Sequence, residues 1–243
     1  SDYFVQGDAL TTLHALADLL EGNMQVDSSL VKDVQQAHAQ AVDLVNATLG
    51  QYGKLKNALS EQVGTDFWWV RDITLSNTMW GNRAPVLDHP RAGVHALGGG
   101  IGQGLAMAIG TAIADVEHHL GRKTVALVGD GGFMLNVGEL ACAVQEKANL
   151  VILLMNDSRY GVIRNIQDDL YGSRHCYVDL HTPDFAQFCA SLQVTHLSLS
   201  DPSQAESVLK QAFVTSGTVV VEVDMNRWGA FAVKFAGPIL KKD

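Results

Sequence analysis

The spacing of apolar positions changes character near residue 66. Before that point it is helical. Leu10, Leu13, Ala17 and Leu20 follow Asp8, which predicts a helix capped by that aspartate, preceded by a short strand over "DYFVQG". Leu30, Val34, Ala37, Ala41 and Leu44 mark a second helix that follows Asp27 to Ser29 and stops at Gly50. From Asp66 onward, unbroken apolar runs alternate with amphipathic stretches. The runs are "FWWV" (67–70), "TVALVG" (124–129), "LVILLM" (150–155), a weaker "VTHLSL" (194–199) and "TVVVEV" (218–223). Strands buried on both faces read this way, and such strands belong to parallel sheets covered by crossover helices. The helices between them are predicted near 101–119, 136–147, 183–192 and 202–214. Two carry start signals, Thr182 before Pro183 and Asp201 before Pro202 with Gln204 three places on. The expected fold class is α/β, a doubly wound, mainly parallel sheet with helices on both faces.

In such a sheet ligands bind beyond the carboxyl ends of the strands, so the residues just after each apolar run carry the information. After the second run come Gly129, Asp130, Gly131 and Gly132, leading into a helix; after the third come Asn156, Asp157, Ser158, Arg159, Tyr160 and Gly161. If these strands are neighbours, both aspartates reach one edge. Two hard oxygen ligands beside glycine-exposed amides suit a Mg²⁺ or Ca²⁺ ion bridging to phosphate oxygens. An isolated GDG more often just ends a strand in a glycine turn; the second acid at 157 shifts that balance. A third glycine segment, Gly98 to Gly104, fails the dinucleotide pattern GxGxxG, because its sixth position is Gln103 counted from Gly98 and Leu105 counted from Gly100. A tight turn presenting backbone atoms beside one apolar side chain, Ile101, fits it better.

Composition narrows the partners. The chain has 243 residues, 17 Lys+Arg against 26 Asp+Glu and a net charge of -9, with no basic run beyond Lys241 and Lys242, so neither nucleic acid nor an anionic membrane surface is expected. No stretch reaches the length of a membrane span. Cys142, Cys176 and Cys189 lack metal or redox spacing and read as reduced residues, which points to a cytoplasmic protein. His95, His175 and His181 lie near strand edges or loops without the pairing that zinc needs, and Trp68, Trp69 and Trp80 read as core or interface residues.

Taken together, "GDGGF", "LLMNDSRYG" and "GGGIGQGLAMAIG" resemble the diphosphate-binding domain of thiamine diphosphate enzymes in the group of acetolactate synthase and benzoylformate decarboxylase. "TPDFAQFCASLQV" and "GTVVVEVD" are similar to the C-terminal end of that domain, so the resemblance spans about residues 66–226. It implies thiamine diphosphate and Mg²⁺ as cofactors and a 2-oxo acid as substrate, decarboxylated or joined to a second carbonyl compound. It makes Asp130 and Asp157 side-chain ligands of Mg²⁺, with the backbone carbonyl of Arg159 as a third. Gly131 and Gly132 would meet the diphosphate through their amides, with Tyr160 beside them. Ile101 would wedge between the two cofactor rings, and Gly99 and Gly100 would contact the aminopyrimidine. "RDITLSNTMW" matches the family's other diphosphate-side loop loosely, which adds Thr74, Ser76 and Asn77.

Several positions depart from the family pattern. Residue 157 is Asp where most members have Asn, the usual Ser or Ala after GDG is Gly132, and Ile163 stands where pyruvate decarboxylases carry a catalytic Glu. The family's activating glutamate belongs to a pyrimidine-binding domain, and nothing in residues 1–65 resembles that domain. The resemblance therefore divides the chain into the end of a preceding middle domain (1–22), a connecting helix and linker (23–65) and the diphosphate-binding domain with a C-terminal tail (66–243). It also implies a C-terminal fragment, or else a separate subunit of a split enzyme, completed by the pyrimidine-binding domain of another subunit in a homodimer or homotetramer. Two other classes stay open on the residues alone. One is a non-catalytic module that binds a phosphorylated ligand. The other is a dinucleotide-dependent dehydrogenase whose ribose-binding acid would be Asp115 or Glu117.

Overall fold

The computed structural model describes residues 4–235, in two units divided between Val42 and Asp43. The first unit holds helix α1 (Ala9–Leu20), capped as expected by Asp8, whose carboxylate accepts the Thr11 amide at 2.9 Å. Residues 4–7 form no strand, so the expected strand is corrected where it can be seen; Asp2 and Tyr3 lie outside the described residues. Helix α2 (Leu30–Leu49) begins in this unit and ends at Gly50, whose φ of 56° gives the left-handed turn a helix stop needs.

The second unit continues with a helix the sequence reading treated as linker, α3 (Tyr52–Val63). Tyr52, Leu55, Ala58 and Leu59 are its buried face. The sheet follows: β1 (Phe67–Arg71), β2 (Gly93–His95), β3 (Lys123–Gly129), β4 (Leu150–Asn156), β5 (Thr195–Leu199) and β6 (Thr218–Asp224), all parallel in the order β2-β1-β3-β4-β6-β5. The five apolar runs are five of these strands. The sixth, β2, is a three-residue edge strand whose "GVH" offers no run to recognise.

Side chains alternate between two cores as the pleat requires. Val125, Leu127, Val151 and Leu153 join Trp69, Trp80 and α3 on one face; Ala126, Val128, Ile152 and Leu154 face α4 (Gln103–Glu117), α6 (Leu140–Gln145) and α8 (Phe185–Ser191) on the other. Helix α9 (Ala205–Val214) packs with the first core through Ala205, Leu209 and Ala212. Asp201 caps the turn before it, whereas α8 is capped by Asp184 rather than Thr182, because Pro183 keeps that residue outside the helix. From β1 the chain moves outward to β2 and then returns to place β3 on the opposite side of β1. This reversal opens a crevice at the carboxyl ends of β1 and β3. Among the described residues no helix is long and apolar enough to cross a membrane.

Candidate cofactor site

Strands β3 and β4 are adjacent and in register, Gly129 opposite Met155, so the residues that follow them emerge side by side. Asp130 does not sit in an open loop as the sequence suggested. It opens a short helix, α5 (Asp130–Leu135), and its side chain is 1% exposed. Its Oδ2 is buried with no hydrogen-bond partner among the described residues. Asp157 sits just past β4, half-buried, close enough to Asp130 to perturb it.

Burial first, and the like charge of Asp157 second, push the Asp130 carboxyl up to about 7. Burial likewise raises Asp157, to about 6, against the pull of the Arg159 guanidinium, so this pair holds a proton close to neutrality when no cation is bound. A buried acid with a free oxygen beside a second acid is costly unless a cation is shared between them. The donor set is hard oxygen, which fits a divalent ion such as Mg²⁺. Among the described residues no group of three or more His, Cys, Asp or Glu surrounds a common point. The remaining ligands of such an ion would come from outside those four residue types, for example carbonyl, hydroxyl, phosphate or water oxygens.

Arg159 is arranged for that. Its Nε donates to the Asp157 carbonyl and its Nη2 to Asn226 Oδ1, both at 2.8 Å. Its bridge to Asp179 is made by the Tyr160 amide donating to the Val178 carbonyl and the Leu180 amide donating to the Ser158 carbonyl, so these bonds do not use the Arg159 carbonyl. Ser158 adopts a φ of 54°, which turns the chain sharply between the acid and that carbonyl.

A cleft of about 170 Å³ gathers Thr74, Gly99, Ile101, Asp130, Gly131, Gly132, Asp157, Arg159 and Tyr160. Its glycines are close-approach positions. A Cβ on Gly131 would lie 2.5 Å from Tyr160 Cε1, and one on Gly132 would lie 2.8 Å from Asp72 Oδ2. Ile101 is 38% exposed and stands in the cleft instead of packing into the helix that follows, because Gly98, Gly99 and Gly102 all take positive φ around it. Three predicted positions are placed elsewhere. Gly100 is on the surface beside Gln103; Ser76 is fully buried with its hydroxyl 4.0 Å from Met225 Sδ; Asn77 opens a π-helical turn and accepts from Arg71 Nη1 at 3.3 Å. None of His95, His175 or His181 lines the cleft.

The sequence reading missed Asp72, Met225 and Val162; Val162 and the already noted Ile163 line the cleft from the start of α7 (Gly161–Leu170). A second cavity of about 440 Å³ adjoins the cleft, sharing Asp157, Arg159 and Met225, and runs on toward Arg164, Asp168 and Lys234. The dehydrogenase reading loses one of its two candidate acids, and the other, Glu117, is exposed at the last position of α4. The Asp115 carboxylate is already used by Trp68 Nε1 at 2.7 Å and the Arg122 amide at 3.0 Å, beside the amino end of β3.

A crevice at a strand-order reversal, walled by glycines and holding two acids, marks an open α/β domain with a candidate ligand site at the carboxyl ends of its strands. Comparison with known proteins gives the family. The model of the thiamine pyrophosphate enzyme C-terminal TPP binding domain matches residues 76–223, and the chain belongs to that family. Thiamine pyrophosphate is the same molecule as thiamine diphosphate. The chain is 26% identical over 223 residues to the acetolactate synthase isozyme 1 large subunit of Escherichia coli, and 31% identical over 232 residues to a probable 2-ketoarginine decarboxylase of Pseudomonas aeruginosa. Each alignment covers 90% of this chain but only 38% of the relative. The crystal structure of benzoylformate decarboxylase from Polynucleobacter necessarius has the same fold, with a TM-score of 0.65 at 20% identity over 71% of this chain and 32% of the other.

Proposed function

We infer that the chain anchors thiamine diphosphate and Mg²⁺ for decarboxylation or carboligation of a 2-oxo acid, within an acetolactate synthase- or decarboxylase-like enzyme. The observation that carries this reading is the orphaned Oδ2 of Asp130 beside Asp157 at the floor of the glycine-walled cleft. In this reading Asp130, Asp157 and the Arg159 carbonyl hold the cation, and the Gly131 and Gly132 amides take the diphosphate, with Thr74 and Tyr160 closing its sides. Gly99 and Ile101 form the opposite wall, where the rings would lie.

When bound, the cofactor supplies an electron sink for the carbon that loses CO₂. The residues of this chain orient and exclude water. Ile101, Val162 and Ile163 line the cleft with apolar groups. The cleft-lining side chains that titrate are Asp130, Asp157, Arg159 and Tyr160, and the reading commits both acids to the cation. The proton transfers of the reaction then fall to a pyrimidine-binding domain of another subunit, which makes the working unit at least a homodimer.

Calorimetric titration with thiamine diphosphate, with and without Mg²⁺, tests the reading. Binding that needs Mg²⁺ and disappears in Asp130→Ala is the expected result. Binding of neither thiamine diphosphate nor Mg²⁺-pyrophosphate would overturn it. Light scattering of the assembled enzyme is expected to give a dimer or tetramer.

A further inference from the structure

Asp72 is fully buried at the carboxyl end of β1 and touches three segments of the site. Its Oδ1 accepts the Ile73 amide at 2.7 Å, and both oxygens accept the Gly102 amide, at 3.1 and 2.9 Å. The amides of Gln103 and Gly104 also act on it. Its carboxylate therefore fills the N-terminus of α4, a fifteen-residue helix whose first amides would otherwise be free to attract a ligand's anion. On its other side it fills the space where a Cβ of residue 132 would go, 2.8 Å from Oδ2 and 3.3 Å from the Gly102 nitrogen. Among the described residues no basic side chain is paired with it, and it serves backbone amides.

We propose that Asp72 is a positioning residue that clamps the end of the 98–102 turn, thereby fixing Ile101 against the cofactor rings. This inference rests on the function proposed above. It also accounts for Gly132, because a hydroxymethyl or methyl group there would displace either the Asp72 carboxylate or the Gly102 amide.

The test is calorimetry of Asp72→Asn with two probes, thiamine diphosphate and pyrophosphate, each with Mg²⁺. Asn keeps the shape but turns one acceptor into a donor facing amides. The expected result is a loss of at least about tenfold for thiamine diphosphate, roughly the effect of one charge-assisted hydrogen bond, with pyrophosphate affinity held within about twofold. A residue that only supports the fold would weaken both probes together or neither, and either outcome overturns the proposal. Gly132→Ala supplies a second approach if Asp72→Asn folds poorly. Its effect on thiamine diphosphate affinity should be largely relieved when combined with Asp72→Ala, which vacates the space; additive losses would overturn the proposal. Failure of the unaltered chain to bind either probe would instead defeat the proposed function and take this inference down with it.

Discussion

Replacing Asp130 by Asn should make the cation-free protein more stable at alkaline pH. In the native chain burial and the neighbouring Asp157 charge raise the Asp130 carboxyl from 3.8 to about 7. At about 1.36 kcal/mol per pH unit, the folded state disfavours the ionised form by about 4 kcal/mol. The sign follows from proton counting. Between roughly pH 4 and 7 the folded chain keeps a proton that the unfolded chain has released, so this contribution is complete below pH 4 and is lost as pH rises through 7. Urea unfolding in chelator, followed by tryptophan fluorescence, should show a decline of about 3 kcal/mol from this group between pH 5 and pH 8. Asp130→Asn cannot ionise. The variant should flatten that decline and exceed the parent at pH 8 by up to about 4 kcal/mol. Millimolar Mg²⁺ should recover much of the parent's loss at pH 8 and do nothing for the variant. An equal pH slope in the two proteins, or a variant less stable than the parent at pH 8 without metal, would refute the reasoning.

Other expectations are narrower. Asp157→Asn removes one of the two charges proposed to face the cation, so Mg²⁺-pyrophosphate should bind about tenfold more weakly by calorimetry, without loss of the fold. Ile101→Ala, at a side chain 38% exposed, should cost less than about 1 kcal/mol in urea unfolding while weakening thiamine diphosphate more than pyrophosphate. Gly131→Ala places a methyl group 2.5 Å from Tyr160 Cε1, so it should destabilise by about 1–3 kcal/mol and weaken both ligands. Tyr52→Phe deletes the 2.7 Å bond from the hydroxyl to the Gly229 carbonyl and should cost about 1 kcal/mol, read from the urea midpoint.

The legible parts of this chain were those where burial leaves a one-dimensional trace. Strands β3, β4 and β6 are covered on both faces, so nearly every residue in them is apolar, and the acid that ends such a run stands out. Strand β2 left no trace because three residues at a sheet edge need no apolar run. Helix α5 was hidden because its first turn is built from glycines, whose helical geometry here is imposed by the packing of Phe133 in the second core. Helix α7 has no buried residue and lies over the cleft, so its stripe is only half-covered. Asp72 follows the same rule as Asp130, an acid closing an apolar run. It was passed over because Arg71 separates it from that run and its partners are backbone amides thirty residues away, which no spacing rule indicates. Gly100, Ser76 and Asn77 are near the cleft in sequence but are not among the residues that line it: Gly100 is exposed beside Gln103, Ser76 meets Met225 and Asn77 accepts from Arg71.

The register of β3 against β4 has a consequence for how damage spreads. The two acids belong to strands joined through a separate crossover, and their separation is set by the ladder that pairs Gly129 with Met155. An ion shared between them would act as a rivet across that ladder, absent from the unfolded chain and present only once the strands are aligned. Substitutions deep in the sheet, at Leu127 or Leu153 for example, would then surface first as a weakened hold on the ion, while secondary structure still looked intact. Loss of cofactor would be the earliest symptom of a loosening core, and supplementing the ion would mask core defects that chelation exposes.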